Sequence, residues 1–184
     1  MRMHYFLVPA AAVAAAAASP AIANITVLGN TLARSCFEAA QSNRDYMDGL
    51  RHCDQALQES LFDGDRVATL VNRGILRMRV GNLDGAIGDF DEAIERDPGQ
   101  AEAYLNKGWA LLRRDGWNDA VPLFTTALEK RTIRPAIAHL GRGMAYETGG
   151  KLKLAYRDYR EASALAPTWS RPKDELSRFQ VRGR

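Results

Sequence analysis

The sequence predicts an all-α protein: a short α-solenoid of antiparallel helix pairs, closed by a C-terminal capping helix. Three observations lead there. Residues 67–100 recur along the chain: a shift of 34 carries Gly74 onto Gly108, Ala86 onto Ala120, Phe90 onto Phe124 and Ala93 onto Ala127. A further shift of 35 reaches Gly143, Ala155, Tyr159 and Ala162. A fixed period of this length marks units that can bury their apolar faces only against their neighbours. Each unit is also broken near its middle, at Gly81-Asn82, Asp115-Gly116 and Gly149-Gly150, which divides it into two helices. Pro98 and Pro167 then end the second helix of two units, because proline cannot continue the backbone ladder.

Residues 1–23 have the layout of a secretory signal. Arg2 gives a positive end, residues 6–18 are apolar and alanine-rich, and Ala21 and Ala23 put small residues before a cut after Ala23. The apolar core is too short for a spanning helix, which needs about 20 residues. An uncleaved N-terminal anchor is the alternative. Asn24 rather than a cysteine follows the cut, which argues against a lipoprotein, and export to the periplasm or beyond is expected.

Residues 24–30 form a leader ending in the turn signal Gly29-Asn30. Two helices, 31–41 and 46–59, then form a divergent first hairpin over 31–66, with residues 42–45 as its turn and 62–65 as a linker. Its two cysteines, Cys36 and Cys53, are the only ones in the chain and lie nearly equidistant from the turn. In an antiparallel hairpin such residues face each other, and export permits a disulfide. Closing that loop is worth about 3 kcal/mol on chain entropy. Two buried thiols are the alternative; a redox pair fits poorly, since the spacing is unlike Cys-x-x-Cys.

Three full repeats follow, at 67–100, 101–135 and 136–169. In the middle one Thr132 stands where proline is expected. Residues 170–184 complete the chain, with 172–181 read as a polar capping helix carrying Leu176 and Phe179, followed by a basic tail.

This period, with its glycines, alanines and aromatics, resembles the tetratricopeptide repeat family, specifically over 67–169 and weakly over 31–66. The resemblance implies a right-handed solenoid whose first helices line a concave groove that takes a peptide or helix of a partner protein. Mapped onto this chain, the groove would be lined by Val71, Asn72, Ile75, Met78 and Arg79, by Leu105, Asn106, Trp109, Leu112 and Arg113, and by Leu140, Gly141, Met144 and Glu147. Asn72 and Asn106 hold the place at which family members often hydrogen-bond a bound peptide's backbone; the ladder stops at Gly141. Ile75, Trp109 and Met144, widened by Met78 and Leu112, are expected to form an exposed apolar stripe. Arg79 and Arg113 could meet acidic ligand groups. Glu102 stands where a carboxylate clamp would need a basic residue, so that subtype is not expected.

Chemistry is nearly absent from the sequence. His52 and His139 lie on different units, and no nucleophilic triad, metal-ligand cluster or phosphate-cradling loop can be assembled, so neither enzyme nor cofactor is expected. Asp89, Asp91, Glu92 and Glu95 read as a solvated helix face. With 46% hydrophobic residues, 26% charged and a net charge of +3, nothing calls for nucleic acid. The expectation is an exported adaptor. The alternative is an assembly component that docks through its convex face or through Arg171, Lys173, Arg178, Arg182 and Arg184. Oligomeric state cannot be read from the sequence.

Overall fold

The computed structural model describes residues 4–7, 25–26, 31–42 and 45–182, with backbone alone at 4–7 and 180–182. In chain order these are β1 (His4–Leu7), α1 (Thr31–Gln41), α2 (Tyr46–Gln58), α3 (Asp63–Arg79), α4 (Leu83–Arg96) and α5 (Ala101–Arg113). Then come α6 (Trp117–Glu129), α7 (Pro135–Thr148), α8 (Leu152–Leu165), α9 (Ser170–Ser177) and β2 (Phe179–Arg182). No helix among the described residues is long and apolar enough to cross a membrane. The chain divides into two compact units, one of residues 22–133 and one of 1–21 with 134–184.

In the first unit the helices pair as α1/α2, α3/α4 and α5/α6, and the first helices lie side by side, α1 against α3 and α3 against α5. Cys36 and Cys53 are joined in a disulfide that pins α1 to α2, and both are fully buried. Helix α3 starts at Asp63, so residues expected as a linker form its first turn. Asp63 and Asp65 complement the helix dipole there, and Thr69 Oγ1 donates to the Asp65 carbonyl at 2.7 Å. Arg66 reaches back to the carbonyls of Leu57 and Glu59, both at 3.1 Å, and so satisfies the open end of α2.

One contact recurs in every full repeat. A Cβ built on Gly74 would lie 2.5 Å from the Phe90 ring, one on Gly108 would lie 2.9 Å from Phe124, and one on Gly143 would lie 2.7 Å from Tyr159. Each aromatic is buried, and its ring lies close against the bare backbone of the partner helix. The alanines that follow the pattern (Ala86, Ala93, Ala120, Ala127, Ala155 and Ala162) are all fully buried at the same crossing. The first hairpin lacks this contact: Cys53 stands at the aromatic's place and Phe37 at the glycine's, and the covalent bond from the adjacent Cys36 replaces the packing. The breaks between helices also share one geometry, since Gly81, Asp115 and Gly150 are all left-handed, at φ 84°, 61° and 71°.

The acidic face expected on α4 is partly wrong. Asp89 is buried, not solvated, and accepts from Arg73 Nη2 at 2.7 Å and Arg77 Nη1 at 2.7 Å. Its equivalent in the second unit, Asp158, accepts from Arg142 Nε at 2.7 Å and sits 2.9 Å from His139 Nδ1. A carboxylate can be buried at these places because a guanidinium from the first helix of the same repeat meets it. Burial opposes the charge of Asp158, but hydrogen bonds from Arg142 and His139, and then their charges, hold its carboxyl below the ordinary value.

In the second unit α7 and α8 pair, α9 packs on α8, and the chain leaves the helix early. The capping helix ends at Ser177, not near residue 181, and β2 pairs antiparallel with β1, with Leu7 opposite Phe179 and His4 opposite Arg182. Two anchors hold the chain where α9 stops. Arg178 bonds Glu147 and Glu175, and Phe179 packs edge-on to Tyr159 at 5.9 Å and against Tyr156 at 5.7 Å. Burial pushes the Tyr159 phenol up, which keeps it a neutral donor to Glu147 Oε2 at 2.8 Å. Strand β1 falls within the segment read as a signal; the alanine-rich run and the cut after Ala23 lie outside the described residues.

Two outcomes follow. Gly74→Ala should destabilise the first unit by about 1–3 kcal/mol in urea unfolding, since the fully buried Phe90 ring would have to shift to admit the methyl. Asp158→Ala should cost the second unit about 3 kcal/mol, because the Arg142 guanidinium loses the buried carboxylate it bonds. The Asp158 carboxylate is favoured by folding, so its contribution is whole above about pH 4 and disappears as pH falls through the lowered folded value. An acid titration followed by circular dichroism should lose that step in Asp158→Asn.

Candidate functional site

The side-by-side first helices bring most of the expected groove residues of the first unit together, but not as an open stripe. Val71, Asn72, Ile75, Met78, Leu105, Asn106 and Trp109 are all buried. The exposed apolar stripe is therefore corrected: Ile75 and Met78 are core, and Trp109, only 5% exposed, packs edge-on against Phe124 with ring centroids 5.6 Å apart. Trp109 is thus turned toward the second helix of its own repeat and is covered by that packing. Leu112 is half-buried and Arg113 exposed at the end of α5. In the second unit Leu140 and Gly141 are buried, while Met144 and Glu147 are half-buried.

The two arginines do not wait for an acidic ligand. Arg113 Nη1 donates to the Met78 carbonyl at 2.8 Å and so ties α5 to the end of α3. Arg79 donates to the Ala39 and Ser42 carbonyls and lies over the Tyr46 ring at 5.2 Å, tying α3 to the first hairpin. Both satisfy carbonyl groups, which explains their recurrence at one repeated place. Glu102, 7% exposed, is likewise structural. It accepts from Thr132 Oγ1 at 3.0 Å and from the Ile133 amide at 2.9 Å, holding the turn after α6 where the expected proline is missing.

What the face does hold is backbone. Asn72 Nδ2 donates to the Ile25 carbonyl at 2.7 Å, and its Oδ1 accepts from the Ile25 amide at 3.1 Å. Ile25 and Thr26 have no helical structure, and the Ile25 side chain packs against Ala33, Ala56 and Ala68. Asn106 occupies the equivalent place one repeat on and is also buried. The Trp109 indole nitrogen is buried, with no hydrogen-bond partner among the described residues. Sequence reasoning missed Ile25. The signal that could have found it is the β-branched run Ile25-Thr26-Val27, which favours extended backbone, upstream of an array that presents asparagine. Among the described residues no group of three His, Cys, Asp or Glu side chains could hold a metal.

A tetratricopeptide repeat profile matches residues 71–116 and 110–168, together more than half of the chain. The chain belongs to the tetratricopeptide repeat family. The photosystem I assembly protein Ycf3 of Prochlorococcus marinus is 34% identical over 76 residues, which span 41% of this chain and 44% of that relative. Among solved structures, a crystal structure of MamA superposes with a TM-score of 0.66 at 21% identity, covering 81% of this chain and 82% of that one. The first tetratricopeptide domain of Spaghetti (RPAP3), bound to an HSP90 peptide, gives 0.58 at 23% identity, covering 61% and 88%. At these identities the structural likeness carries the fold alone.

Within this tetratricopeptide chain, Glu102→Ala should remove the carboxylate that accepts from Thr132 Oγ1 and the Ile133 amide and cost about 1–3 kcal/mol. Chemical unfolding measures it, and Glu102→Gln, which keeps an acceptor oxygen, should recover part of the loss.

Proposed function

We propose that this protein is an exported interaction module, without turnover of its own, that binds an extended segment of a partner protein along the face of its first helices. The observation that carries this is the two-bond grip of Asn72 on the backbone of Ile25, a residue outside every helix. An amide that pairs with both polar groups of one residue reads backbone and tolerates many side chains, as strand addition does. Membership of a repeat family and the peptide held by a fold neighbour support a protein ligand. Specificity would come from the apolar contacts beside the asparagines, as at Ile25.

Export rests on the charge, apolar and small-residue order of residues 1–23 and is supported by the Cys36–Cys53 disulfide, a bond that persists chiefly in oxidising compartments. Cleavage after Ala23 would remove β1 and leave Phe179–Arg182 without its strand partner, while Ile25 would remain. Docking through the basic C-terminal residues is less well supported, because Arg178 is already engaged by Glu147 and Glu175.

The test is affinity capture from the envelope fraction by wild type and by the Asn72→Ala, Asn106→Ala double variant, with circular dichroism as the folding control. A protein captured by wild type and lost from the folded variant is the expected result. Equal capture by both would move the site off this face. Amino-terminal sequencing of the purified protein should begin at Asn24; a start at Met1 would contradict export by cleavage.

A further inference from the structure

The segment that Asn72 holds belongs to the chain itself. Its two bonds to Ile25 are those that a neighbouring strand would offer, made by one side chain that is fully buried. A buried amide of this kind is costly when unmatched, so the place has to be filled by something with both a carbonyl and an N–H to offer. The Ile25 side chain covers part of the alanine cluster beside it, and Thr26 is exposed. Among the described residues, what is held is the backbone of one residue outside every helix, together with its half-buried side chain.

We propose that the leader around Ile25 is an intramolecular plug: it occupies the Asn72 rung of the binding face, and a partner segment docks there by displacing it. The proposal rests on the interaction-module function above and adds the chemistry of the ligand. The rung takes an extended segment carrying a β-branched apolar residue where Ile25 now sits, against Ala33, Ala56 and Ala68. Because the leader is tethered, its effective concentration at the rung is high without any intrinsic tightness. The apparent affinity for a partner is then lowered by the fraction of molecules whose rung is open.

The probe is a fluorescently labelled synthetic peptide with the sequence of residues 24–30, followed by anisotropy on the full chain. Ile25→Pro removes the amide that Asn72 accepts from, at a residue outside every helix. That variant should bind the peptide about tenfold or more tightly than the parent, and adding Asn72→Ala should abolish the gain. Ile25→Asp, which keeps the amide but sets a charge against the alanines, should also open the rung and raise affinity. Equal affinity in parent and both Ile25 variants overturns the plug, as does a gain that survives Asn72→Ala. Envelope capture separates the two ideas. If capture still depends on Asn72 and Asn106 while the peptide shows no competition, the plug is wrong and the module stands; if capture is lost as well, the module falls too.

Discussion

Close approach of two helices within each repeat is the constraint on which the other features depend. At Gly74, Gly108 and Gly143 a single added carbon would strike the ring of Phe90, Phe124 or Tyr159. A bare backbone under an aromatic ring brings first and second helices near enough for the flanking alanines to be buried completely. That closeness also puts Arg73 within reach of Asp89 and Arg142 within reach of Asp158, so that charges can be buried as pairs. The first hairpin reaches the same end by a covalent route, since Cys53 occupies the aromatic's place and is bonded to Cys36.

The same spacing decides what the first helices can offer a partner. Places such as Ile75 and Trp109 recur at one position in the repeat, and both are buried, Trp109 against Phe124 of its own second helix. The repeated arginines close carbonyl ends, and Glu102 repairs a turn that lacks its proline. The asparagine place differs, because there a side-chain amide meets the backbone of a non-helical residue. On the function proposed here, a scaffold whose apolar positions are buried in its own packing would read its ligand mainly through backbone.

Much of this was legible in the sequence. The glycine, alanine and aromatic places gave the helix pairs and their breaks, and several helices begin and end where the pattern puts them, as Leu83–Arg96 does. Asn72 was legible too, as a repeated polar residue on a first helix. Other features were not. Periodicity cannot say whether Trp109 faces solvent or the next helix, because both sides of a first helix carry apolar residues. It reads Asp89 as solvated, because the arginines that bury it lie 16 and 12 positions upstream on another helix. It gives no reason for Phe179 to leave the helix, since its partners Tyr156 and Tyr159 belong to α8. The leader's contact with Asn72 spans 47 positions and follows no period at all.

The most direct measurement is amide hydrogen exchange at Ile25, resolved by residue, in the parent chain and in Asn72→Ala. If Asn72 is a backbone-binding rung, the Ile25 amide is protected in the parent although it lies outside every helix, and the protection vanishes in the variant while α3 stays protected. An Ile25 amide that exchanges in the parent at the rate of an unstructured peptide would contradict the account.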